Sequence, residues 1–386
     1  MRIFPSLKVN LFVGVVAVVL LALLLAPAVA QAAAWSVVAS PNATPGNNEL
    51  HAVASISAND VWAVGTSENT LGNDQTLILH WDGTVWSIVA SPTTGMVEGN
   101  LLGVAAVATN DVWAVGSFLP TKGGGQALIE HWNGHKWSVV KNPSTVGTEL
   151  HAVAAVATND VWAVGNASNA SGVSQTLIEH WNGKQWSIVA SPSPSTQTNF
   201  LLGVTAVATN DDWAVGSFRN AGGAFQTLTL HWDGTAWSIV PSPSPDGAFN
   251  DLFSVAAFST SDVWAVGDSG SGTLIEQWNG SSWSAVSSPS PSTLANLLFG
   301  VAIVSATDIW AVGESQNATS GISQTLIEQW NGSSWSVVAS PNPGSGSSPG
   351  DSLRGTAVDP SSGQAWAVGQ FTAASGATQT LTEFHP

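Results

Sequence analysis

The tetrapeptide Trp-Ala-Val-Gly occurs seven times, starting at Trp62, Trp113, Trp162, Trp213, Trp264, Trp310 and Trp366, at intervals of 46 to 56 residues. A second phrase, Trp-Ser followed by a short apolar run, starts at Trp35, Trp86, Trp137, Trp186, Trp237, Trp283 and Trp335. One such unit is too small to bury its own apolar faces. Neighbouring units must share a core, as they do in a propeller or a solenoid.

Each unit reads as four short β segments. In the third they span 150–157, 160–165, 175–181 and 186–190, here called a, b, c and d. Segments a and d are Val/Ala/Ile runs punctuated by Asn, Asp, Gly, Ser and Pro, which is strand punctuation. Their weak alternation fits strands covered on both faces, as in a propeller blade. A tight Thr-Asn-Asp or close variant joins a to b, and Asn-Gly or Asp-Gly joins c to d, both suited to hairpin turns. The b–c and d–a connections are longer and differ from unit to unit, so one face is short-turned and uniform and the other varied. Function is more often carried on such varied loops.

Counting strands decides between ring and solenoid. The seventh unit has a, b and c, then ends at Pro386 without a d segment, while 35–41 is a d segment with no unit of its own. Pairing the two closes a ring and removes an exposed strand edge. The expected fold is all-β: a seven-bladed β-propeller of four-stranded antiparallel blades. The blades fall near 50–92, 101–143, 150–192, 201–243, 252–289, 298–341 and 353–386, the last completed by 35–41.

All 20 Trp fall in three repeat columns: seven in b, six ending c and seven opening d. Identical placement in every unit assigns them to packing between blades rather than to sugar stacking. The Asp opening b in six units (Asp60 and its equivalents) reads as the cap of its own tight turn. The Gln preceding c reads as a repeated structural hydrogen bond.

Ahead of the repeats, residues 1–34 carry Arg2 and Lys8, an apolar run from Leu11 to Ala26, then small residues with Ala-x-Ala sites. This is the pattern of a secretory signal peptide; an uncleaved membrane anchor is the alternative. Without that segment 6 basic side chains face 25 acidic ones, a net charge of −19. Such a charge opposes nucleic acid and anionic membranes, which select basic patches. The absence of Cys removes disulfides and thiolate metal sites.

The Trp-Ala-Val-Gly strand followed by Asp-Gly-x-x-Trp, as at Asp82, Gly83 and Trp86, resembles the repeats of kelch, Asp-box and photosystem-assembly-factor propellers, most of all the last. The resemblance covers nearly all of 35–386 and implies a seven-bladed propeller. It implies no single function, because one fold hosts many. Sialidases, which resemble this fold, use three Arg and a Tyr nucleophile; here only Arg219 and Arg354 follow the signal and there is no Tyr. Kelch-type copper-radical oxidases need Tyr and Cys. The His-Glu-x-x-His metal motif is missing, and the one Gly-x-Ser-x-Gly, Gly346-Ser347-Ser348-Pro349-Gly350, lies in a Ser/Pro-rich d–a connection rather than in the strand-to-helix elbow a hydrolase needs.

The polar residues that depart from the repeat lie where a begins. His51 and His151 stand in a column otherwise filled by Leu102, Leu202, Phe253, Phe299 and Arg354. Just before it lie Glu49, Glu149, Asp251 and Asp351. Glu49, His51, Glu149, His151, Asp251, Asp351 and Arg354 are therefore the candidate ligand-binding residues, at the mouth of the central channel. No catalytic set, metal set or cofactor is expected. The chain is expected to be a secreted, monomeric, non-enzymatic propeller that binds an extracellular protein or glycan through its long-looped face. A carbohydrate-binding lectin and, further off, a polysaccharide-active enzyme are the alternatives.

Overall fold

Each repeat folds as an antiparallel meander, because its Gly-containing turns reverse the chain tightly between apolar runs. A computed structural model describes residues 34–386 apart from Thr94, Ser144, Ser271 and Pro360; the expected signal peptide, save Ala34, lies outside the described residues. Among the described residues 28 strands form seven four-stranded sheets. In the first blade strand a is Asn48–Ser57, b is Asp60–Glu68, c is Asp74–Trp81 and d is Trp86–Ile88. In the third, b runs on to Ser168, three residues beyond the expected end, carrying the ladder up into the loop face.

The ring closes as the strand count requires. In the seventh blade Ser352–Val358, Ala365–Thr372 and Thr378–His385 are followed outward by Ser36–Val37 from the other end of the chain. Ser36 pairs with Phe384 and Val37 with Glu383, and the Val38 amide donates to the Thr382 carbonyl at 2.9 Å.

The indoles sit between blades. Six of the seven b-strand Trp pack against the c-strand Trp of the next blade, with ring centres 4.8–5.1 Å apart, as in Trp62 with Trp132 and Trp213 with Trp278. All seven meet the next blade's d-strand Trp edge-on at 5.2–5.6 Å, as in Trp113 with Trp186 and Trp366 with Trp86. The contact recurs at all seven interfaces. At the closing one His385 takes the place of the missing c-strand Trp, 4.8 Å from Trp310, with Trp35 completing the cluster. Aromatic pairs of this geometry contribute about 0.5–1.5 kcal/mol each beyond their burial.

One expectation needs correcting. The Asp that opens b does not cap its turn. Asp60, Asp111, Asp160 and Asp211 accept a bond at 2.8 Å from Nε2 of His80, His131, His180 and His231 on strand c. Asp262 and Asp308 accept from Gln277 and Gln329 at 2.9 Å. The same His rings stack on the b-strand Trp at 4.1–4.5 Å. An amide replaces the imidazole in two blades because both can donate one bond to the carboxylate. The Gln preceding c does hold a structural bond: Gln75 donates to the Val97 carbonyl of the next blade at 3.0 Å.

The blade interfaces also enclose carboxyls that the repeat pattern did not single out. Glu130, Glu179, Glu276, Glu328 and Glu383 occupy one position of strand c and are fully buried. The Ser91 hydroxyl of the preceding blade reaches Glu130 at 2.9 and 3.0 Å, and Ser340 reaches Glu383 at 3.0 and 3.3 Å. Burial pushes Glu130 up to about 7 and Glu276, Glu328 and Glu383 to about 8.

Candidate functional site

The channel mouth is made by a repeated irregularity in strand a. In every blade the pairing of a with b slips by one residue, between Leu50 and Ala52 in the first and at the matching place in the others. A β-bulge re-aims the extra residue. The bulged residues are the column His51, Leu102, His151, Leu202, Phe253, Phe299 and Arg354, and all seven line one cavity of 370 Å³. The Gly of Trp-Ala-Val-Gly makes the bulge possible. A Cβ on Gly65 would stand 1.9 Å from the Glu49 carbonyl oxygen, and the same clash recurs in each blade. Beyond the bulge strand a needs small side chains, because the innermost strands crowd around the axis. A Cβ on Gly103 would lie 2.9 Å from Cα of Ala152 in the next blade.

The ring is chemically uneven. Phe253 and Phe299 touch at 5.2 Å, and the Arg354 guanidinium lies over the Phe299 ring at 4.2 Å, with Glu314 at 3.9 Å. His51, adjacent to Arg354 in the ring, is pushed down to about 4 by burial and then by that guanidinium, so it is neutral at neutral pH. His151 bonds Asn166 Oδ1 at 2.9 Å and lies 3.9 Å from Glu149. The arc of Phe253, Phe299 and Arg354 is thus aromatic and cationic, while the remainder alternates the imidazoles of His51 and His151 with the apolar Leu102 and Leu202.

The candidate carboxylates do not join this ring. Glu49 reaches back to the seventh blade, where the Thr378 hydroxyl donates at 3.3 Å and the Gln370 amide nitrogen, turned toward it, at 2.9 and 3.0 Å. Glu149 accepts from Ser117 of the second blade at 3.1 Å. Asp251 lies beside Ser217 of the fourth. Asp351 belongs to an earlier position, that of Asn48, and ties the preceding loop by accepting from the Gly344 amide at 2.8 Å. Glu149, Asp251 and His151 do share a second cavity of 490 Å³ with Leu202, running outward from the channel mouth over the third to fifth blades.

Sequence reasoning missed the residues that hold these side chains. Each Trp-Ala-Val-Gly is followed by a polar residue: Thr66, Ser117, Asn166, Ser217, Asp268, Glu314 and Gln370. Thr66 contacts His51 and Asn166 bonds His151, while Ser117, Glu314 and Gln370 reach Glu149, Arg354 and Glu49 of the next blade. Invariant polarity with varied identity right after an invariant Gly was the available signal. Among the described residues no group of three or more His, Asp or Glu is placed to hold a metal ion, and no helix is long and apolar enough to cross a membrane.

No family model and no curated protein matches the chain. Solved structures do. The chain is similar to YCF48 bound to a D1 peptide, at 14% identity and TM-score 0.55, covering 94% of this chain and 100% of that one. It is similar to YCF48 from Cyanidioschyzon merolae at 16% identity and TM-score 0.56, covering 92% and 99%. U3-55K matches at 8% identity and TM-score 0.58, covering 92% and 98%. At these identities the likeness is one of fold, and the resemblance to assembly-factor propellers holds at that level.

Proposed function

We propose that the chain is a secreted, non-enzymatic binding propeller that recognises an extracellular protein or surface polymer through the face bearing the b–c and d–a loops. The observation that carries this reading is the ring of seven bulged residues. Every blade spends a register slip to turn one side chain into the channel mouth, and that column departs from the repeat in chemistry as well as size. A propeller of the same fold, YCF48, has been seen bound to a peptide.

The test is affinity capture from the extracellular medium with the secreted chain and with Phe299→Ala/Arg354→Ala. Loss of the captured partner with the double variant, and its retention when Ser282 and Ser334 on the opposite, short-turned face are changed to Ala, supports the reading. Equal capture by all three contradicts it.

A carbohydrate-binding reading has one observation in its favour. Between the fifth and sixth blades a cleft of 520 Å³ is walled by Trp330, Ser333, Ser334 and Pro289. An indole beside hydroxyls suits a sugar ring. Signal on a glycan array that disappears in Trp330→Ala would move the assignment there.

A further inference from the structure

The groove that leaves the channel mouth over the third to fifth blades departs from the pseudo-symmetry in a definite way. Two residues before the bulge, strand a carries Glu149 in the third blade, Phe200 in the fourth and Asp251 in the fifth. The fourth blade thus lays an apolar floor, Phe200 with Leu202 and Phe225, between one carboxylate on each side. Phe225 is braced edge-on by Phe249 at 5.5 Å.

The carboxylates on the fifth-blade side are uncompensated. Asp251 is 8% exposed and stands directly opposite Asp268 in the a–b ladder; Asp268 is 4% exposed, and one of its oxygens has no hydrogen-bond partner. Burial raises both carboxyls, Asp268 to about 7, and the charge of Asp251 adds to the rise of Asp268. The Ser217 hydroxyl, 1% exposed and lining the groove, stands beside Asp251 and is the one group acting to hold that carboxyl down against burial. No Lys or Arg lines the groove. Arg219 is the cation of the fourth-blade loop, and it is exposed and held on the Gly223 carbonyl at 2.9 Å. Arg354 is engaged across the channel with Phe299 and Glu314. Asp251, backed by the buried Asp268 and facing Glu149 across an aromatic floor, forms a site whose missing element is a cation on an apolar stem.

We propose that this groove takes a lysine or arginine side chain of an extended peptide, its stem lying along Phe200 and Phe225 and its charged head between Glu149 and Asp251. The peptide backbone continues over His151 and Leu202, which the groove shares with the channel cavity. Cation–π contact with the two Phe rings adds to the charge pairing. The inference rests on the reading of the loop face as a recognition surface and gives its partner a chemistry: a basic, apolar-flanked protein segment.

The experiment is isothermal titration of the full secreted chain with four acetylated, amidated peptides, Gly-Ser-Leu-X-Leu-Ser-Gly, in which X is Lys, Arg, norleucine or Glu. The Lys and Arg peptides are expected to bind. Norleucine, which keeps the stem and loses the charge, is expected to bind at least about tenfold more weakly, and Glu not at all. Glu149→Gln/Asp251→Asn should lower Lys-peptide affinity about tenfold or more while melting no lower than the parent, because Glu149 is partly exposed and burial already disfavours the charged form of Asp251. Phe200→Ala should weaken the Lys and norleucine peptides alike. Equal affinity for Lys and norleucine peptides, unchanged affinity in the double carboxylate variant, or tighter binding of a glucosamine tetramer than of the Lys peptide would each overturn the proposal. If the Lys peptide fails to bind while Phe299→Ala/Arg354→Ala still abolishes partner capture, this inference falls and the recognition surface stands. If capture survives as well, both fall.

Discussion

At the scale of single residues, burial decides the behaviour of the acids. Glu276 is fully buried; burial lifts its carboxyl to about 8, with the Ser242 hydroxyl pulling the other way. A carboxyl that holds its proton more tightly folded than unfolded stabilises the fold fully below its unfolded value of 4.5, and that stability is lost as pH rises through 8. Glu328 and Glu383 act in the same direction. The protein should therefore melt highest near pH 5 and lower at pH 9. Glu276→Gln should match the parent at pH 5 and melt higher at pH 9 by about 4 °C or more, measured by calorimetry. An identical shift at both pH values would show that ionisation is not the cause. Asp212 makes a second case. It is fully buried where other blades have Val61, Val112, Val161 and Val263, and it is raised to about 7 by burial and then by Asp160. Asp212→Val should raise the melting temperature at pH 8, and more there than at pH 4. A lower melting temperature at pH 8 would mean that the carboxylate has a partner worth more than its desolvation.

At the scale of the strand, the bulge links repeat to site. Gly165→Ala would set a Cβ 2.0 Å from the Glu149 carbonyl oxygen, so strand a must shift or the ladder must break. The expected cost is about 2–4 kcal/mol by urea unfolding, with a displaced His151 seen as a changed imidazole resonance. Full stability with an unmoved imidazole would remove the bulge from the account. This is also where the limit of sequence reading falls. Blade number, strand order, Trp packing and ring closure were legible, because each is written as a recurrence of large, typed residues. A one-residue slip leaves no mark in composition, so His51 and Arg354 could be placed near the channel but not recognised as bulged. Asp60 was misread because turn capping and cross-strand acceptance call for the same residue type. Glu130 and its equivalents were overlooked because a Glu ahead of a c-strand Trp looks like an ordinary solvent-facing position until the neighbouring blade is in place. Asp351 was aligned one position late because the loop before it is longer than in the other blades.

At the scale of the whole molecule, everything at the channel mouth depends on closure. The seventh blade contributes Arg354 to the ring of bulged residues and Gln370 to Glu49, and that blade exists as a four-stranded sheet only through residues from the other end of the chain. If residues 1–34 are a cleaved signal, protein recovered from culture medium should begin between residues 29 and 35 by amino-terminal sequencing; an intact Met1 in membrane fractions would support an anchor instead. The most direct test of the account is calorimetry and sedimentation of the chain lacking residues 1–41 beside the chain lacking 1–34. Losing Trp35 from its cluster with Trp310 and His385, and uncovering the Thr378–His385 edge, should lower the melting temperature by about 5 °C or more and cause self-association. An unchanged melting temperature, with the shortened chain no more associated than the longer one, would contradict a ring closed by its own amino-terminal strand.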